Sequence, residues 1–122
     1  MDQESNISKA ERIKGWQAQL DQLRFANNKL RDCLAKAISR EVSTALLEEA
    51  EHFNQKFIDM DQIIELMRHE INGLSHYGGE AMTEQEGILL LQFKKDMERC
   101  ENEFYNLGRS FTATFQALRI EK

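Results

Sequence analysis

Residues 33–52 read Cys33-Leu34-Ala35-Lys36-Ala37-Ile38-Ser39-Arg40-Glu41-Val42-Ser43-Thr44-Ala45-Leu46-Leu47-Glu48-Glu49-Ala50-Glu51-His52, and whether the backbone turns here decides the fold. No Gly or Pro interrupts the stretch. Its apolar positions Leu34, Ile38, Val42 and Leu46 recur every four residues, a stutter that a continuous helix can absorb. One very long helix would then dimerise through its first half. Three features favour a turn instead. Ser39, Val42, Ser43 and Thr44 are poor helix formers, and their hydroxyls can cap a new helix. Lys29, Arg31, Lys36 and Arg40 precede the patch, while Glu41, Glu48, Glu49 and Glu51 follow it. Helix macrodipoles reward that order by about 0.3–1 kcal/mol per exposed charge. Finally, residues 1–40 hold eight Lys/Arg against five Asp/Glu (+3), and residues 41–122 hold eight against sixteen (−8). A basic first helix folded back on an acidic hairpin is complementary, so the turn is expected near Ser39–Ser43.

Outward from this stretch the apolar spacing is regular. Leu46, Ala50, Phe53, Phe57, Met60, Ile64, Met67, Ile71 and Leu74 alternate steps of four and three. Leu90, Phe93, Met97, Cys100, Phe104, Leu107, Phe111, Thr114 and Leu118 do the same. Such alternation averages 3.5 residues per turn and keeps one seam toward a partner helix over roughly 42 Å. Thr83-Glu84-Gln85-Glu86 is a capping box for the second of these helices, and Asn72-Gly73 with Gly78-Gly79 marks the loop before it. The two form an antiparallel hairpin. Leu47, Ile63 and Leu66 widen the first face, and Ile88, Leu89, Leu91 and Phe115 the second, which calls for a further helix. It is supplied by Ser8-Lys9-Ala10-Glu11, another capping box, followed by Ile13, Trp16, Leu20, Leu23, Asn27, Leu30, Leu34 and Ala37. Asn27 in mid-seam is either a register-fixing polar residue or a residue at the edge of a three-helix core.

The expected fold is all-α: three long helices, about 8–38, 43–74 and 83–120, in an up-down-up coiled-coil-like bundle with a loop over 75–82. The alternative is one long helix plus the hairpin, in a dimer joined through the first helix. The 122 residues, without proline and 30% charged, suit a single helical domain spanning 1–122. No secretory signal opens the chain, and the apolar run near 87–93 is too short to span a membrane. Cys33 and Cys100 read as free, buried thiols, and the profile points to a cytoplasmic address.

Little catalytic chemistry is spelled out. Glu49-x-x-His52 is one half of the ExxH pair that di-metal bundles require, and neither His69 nor His76 completes a second copy. The register turns Glu49 and His52 away from the seam, so no metal or cofactor is expected. Ser75-His76-Tyr77 lies on a Gly-rich loop that would hold a nucleophile poorly, and Gly78-Gly79 lacks the rest of a phosphate-binding loop. The basic residues of the first helix are interspersed with Glu11, Asp21 and Asp32, which suits docking on an acidic hairpin better than binding nucleic acid. The expected function is that of a non-enzymatic protein–protein interaction module: an adaptor, a small chaperone-like partner or an assembly subunit. A metal- or ligand-binding bundle and a weak nucleic-acid binder are the alternatives. Phe25, off the first seam, and the loop residues His76, Tyr77 and Met82 are the expected interaction surface for an unidentified protein partner.

Overall fold

A computed structural model describes residues 8–38, 43–75 and 83–120, with side-chain surroundings through residues 8–38, 43–74 and 83–115. It contains α1 (Lys9–Ile38), α2 (Thr44–Ser75) and α3 (Glu84–Ile120). Each helix begins at a hydroxyl. Ser8 Oγ accepts from the Glu11 amide at 3.1 Å, Ser43 Oγ from the Leu46 amide at 3.2 Å, and Thr83 Oγ1 from the Glu86 amide at 3.1 Å. In each case the same residue's carbonyl accepts the first intrahelical bond, which makes all three N-caps. Ser43 is therefore the start signal in the stretch that decides the fold. Gly73 lies inside α2, as the expected helix end at 74 requires, with Ile71 and Leu74 around it buried in the core.

Cross-helix partners give the direction of each helix. Gln17 Nε2 donates to Asn72 Oδ1 at 2.8 Å, Arg24 pairs with Glu65 at 3.5 Å, and Asp21 with Arg68 at 3.6 Å. Numbers rise along α1 as they fall along α2, so the two are antiparallel. Lys9 pairs with Glu86, Trp16 packs on Phe93, and Leu30 faces Gly108, so α1 and α3 run parallel. The bundle is up-down-up. α1 returns along α2, so the continuous-helix alternative does not hold: its apolar seam is spent inside the molecule.

The core has two regions joined at Leu107. Ile13, Leu20, Met60, Ile64, Met67, Ile71, Leu90, Phe93 and Met97 fill the end nearest the start of α1. At the other end Phe53, Phe57, Phe111 and Phe115 cluster against Leu34 and Ala50. Phe111 meets Phe53 and Phe57 edge-on, at centroid distances of 5.5 and 5.3 Å. Such pairs add about 0.5–1.5 kcal/mol each beyond area burial. α1 and α2 are the most closely apposed helices.

Several expectations need correction. Asn27 sits fully inside the core, not at its edge. Cys33 is exposed, because it stands one position, about 100° around the helix, from the buried seam residue Leu34. Phe115, not Thr114, continues the α3 seam, because an α-helix of 3.6 residues per turn drifts out of a 3.5 repeat. Leu47, Leu66, Ile88, Leu89 and Leu91 face outward; of the residues read as widening the hairpin, Ile63 and Phe115 pack inward.

Candidate interaction surface

Phe25 stands on the outer side of α1, 63% exposed, where the sequence places it. One turn on, the ammonium of Lys29 lies 4.9 Å from the Phe25 ring centroid. This cation–π contact holds the ring against its own helix at a modest gain of about 0.5–1 kcal/mol. The surface is thus an aromatic face with a positive rim. The other expected members, His76, Tyr77 and Met82, lie outside the described residues.

Sequence reasoning missed Tyr105, which is 65% exposed on α3 with the Arg109 guanidinium 5.7 Å from its ring centroid. The signal was the four-residue spacing of aromatic and cation, the same as that of Phe25 and Lys29. Leu66 on α2 is likewise fully outward, at 70% exposure. These side chains lie on outer faces of a bundle whose core is already filled.

Asn27 is the one buried polar side chain among the described residues. Its Nδ2 donates to the Phe57 carbonyl at 3.0 Å, and its Oδ1 has no partner. The group lies between the two core regions, flanked along α1 by Leu23 and Leu30. It joins α1 to α2 at one defined height, which is the geometry a register residue needs.

Glu49 and His52 are both exposed, and His52 packs edge-on against the Phe53 ring. Among the described residues no three His, Cys, Asp or Glu gather as a metal-binding group. Cys100 is buried with its Sγ 3.9 Å from Met60 Sδ. Desolvation, followed by the nearby Glu103 and Glu101, pushes its thiol up to about 11, which suppresses the nucleophilic thiolate. The basic residues of α1 are partly engaged with acidic side chains: Lys9 with Glu86 and Arg24 with Glu65. Among the described residues no helix is long and apolar enough to cross a membrane.

No protein-family model matches the chain, and comparison with curated proteins and with solved structures finds no similar one.

Proposed function

We propose that this chain is a non-enzymatic helical interaction module, acting as an adaptor or assembly subunit. The observation that carries this reading is Phe25, a large aromatic side chain held outward on a rigid helix. Aromatic anchors on rigid elements lose little conformational freedom on binding, and they dominate interface energetics. Lys29 beside the ring supplies a positive rim suited to a partner with an apolar pocket and a carboxylate nearby.

A photo-crosslinking residue placed at position 25 of the full chain tests the reading in cells. A discrete adduct, absent when the same probe replaces the exposed Gln62 and weakened by Lys29→Glu, supports it. Equal labelling from both positions, or none from position 25, sinks it.

A further inference from the structure

The outer face of α3 carries a second stripe, opposite the buried Phe93, Met97 and Cys100. Ile88 and Leu91 on this stripe are 63% and 55% exposed, and Tyr105 is 65% exposed. Between and beyond them, Glu84, Lys95, Glu98, Asn102 and Arg109 continue the same alternation of three and four, and all are exposed. A 3.5-residue repeat on a face with no partner among the described residues is the pattern of a coiled-coil seam. At 1.5 Å per residue it runs roughly 37 Å.

We propose that this face docks on the same face of a second copy of the chain, with the two α3 helices antiparallel. The charge order selects this occupant. A two-fold axis between Asp96 and Met97 sets Lys95 of one copy against Glu98 of the other. The same operation sets Glu84 against Arg109 and Ile88 against Tyr105. Leu91 then faces Asn102. On the flank, Lys94 falls beside Glu101, and both are exposed. Each charged position on the seam thus meets its opposite, and the symmetry repeats every pair. A parallel pairing would stack Lys95 on Lys95, Glu98 on Glu98 and Arg109 on Arg109, which costs several kcal/mol in like-charge contacts. The pairing is isologous and closed by a two-fold axis, the commonest symmetry for two identical subunits. Three apolar or aromatic anchors among eight seam positions make this a reversible dimer whose ionic pairs fix register more than they add strength. The face is separate from Phe25 on α1, so the dimer and the interaction reading stand or fall independently.

Analytical ultracentrifugation of the full chain from micromolar to millimolar concentration is the test. The expected result is a mass that doubles with concentration, and a monomer throughout overturns the proposal. Ile88→Glu with Leu91→Glu should abolish the dimer while leaving the helical circular dichroism unchanged. Lys95→Glu should raise the dissociation constant about tenfold or more by setting Glu against Glu. Lys95→Glu combined with Glu98→Lys should restore it, since the swapped pair is again complementary. If the double swap fails to rescue, or if the dimer survives both the Glu substitutions and Lys95→Glu, the interface lies elsewhere. The charge-swap series decides the matter even if the double Glu variant unfolds.

Discussion

Asn27 Nδ2 donates to the Phe57 carbonyl across the α1–α2 interface at 3.0 Å, while Asn27 Oδ1 is buried without a partner. An unpaired buried acceptor costs about 1–3 kcal/mol, more than the single hydrogen bond returns. Asn27→Leu should therefore raise the unfolding free energy measured by chemical denaturation by about 1–3 kcal/mol. A register role predicts that the same variant acquires additional amide resonances from slipped packings. A single sharp set of resonances with raised stability would remove that role.

Ser43 starts α2, and its hydroxyl satisfies the Leu46 amide. Ser43→Ala should cost about 0.5–2 kcal/mol, and Ser43→Asp should retain most of the stability because its carboxylate also caps. Chemical denaturation of the three proteins measures both. Equal stability of Ser43→Ala and the parent would mean that the turn is held by packing alone.

Phe111 sits between Phe53, Phe57 and Phe115. Phe111→Ala should destabilise by about 3–5 kcal/mol, through lost transfer energy and the cavity left behind. Phe25→Ala, on the surface, should stay within about 0.5 kcal/mol of the parent. Thermal melts of the pair separate the core role from the surface role.

Gly15 and Gly73 lie within helices, and a Cβ at either position meets nothing within 4 Å. Gly15→Ala and Gly73→Ala should each stabilise by about 0.5–1 kcal/mol, because alanine loses less freedom on entering a helix. The effects should add in the double variant, since the two positions share no partner. Melting temperatures of the three variants measure this, and a loss at Gly73 would point to a requirement for glycine near the end of α2.

The two thiols should differ sharply in reactivity. Exposed Cys33 should react with a disulfide reagent at pH 8 in the folded protein, while Cys100 should wait for unfolding. Cys100 is raised to about 11 in the fold from an ordinary value of 9.0, so the native state keeps its proton where the unfolded chain loses it. Its contribution to stability is whole below pH 9 and falls away as pH rises from about 9 to 11. A Cys100→Ala variant should show a flatter loss of stability across that window.

The seams of α2 and α3 were legible because a 3.5-residue repeat is a local property: Phe53, Phe57, Ile64, Phe93 and Met97 declare their shared face without knowledge of the partner. The caps Ser8 and Thr83 were legible for the same reason, while Ser43 was one of three hydroxyl residues offered in its patch. Which flank of the hairpin receives α1 was not. Periodicity marked Leu66 and Ile88 as apolar flanks, yet α1 docks along the side of α2 that carries Glu65 and Arg68. The α1 seam of Ile13 and Leu20 is apolar, but its edge along α2 is set by Arg24, Asp21 and a Gln17–Asn72 hydrogen bond, and hydrophobic patterning does not register those polar pairs. Phe25 was legible as an outward aromatic, whereas the α3 counter-stripe, with Ile88, Leu91 and Tyr105 set among charged residues, was not.

Trp16 is the chain's single tryptophan, and its ring lies 5.1 Å, centroid to centroid, from Phe93 across the α1–α3 boundary. The indole is therefore an optical gauge of one event, the seating of the first helix on the third. Emission moving to longer wavelength at constant helicity would record α1 lifting away from an otherwise helical hairpin.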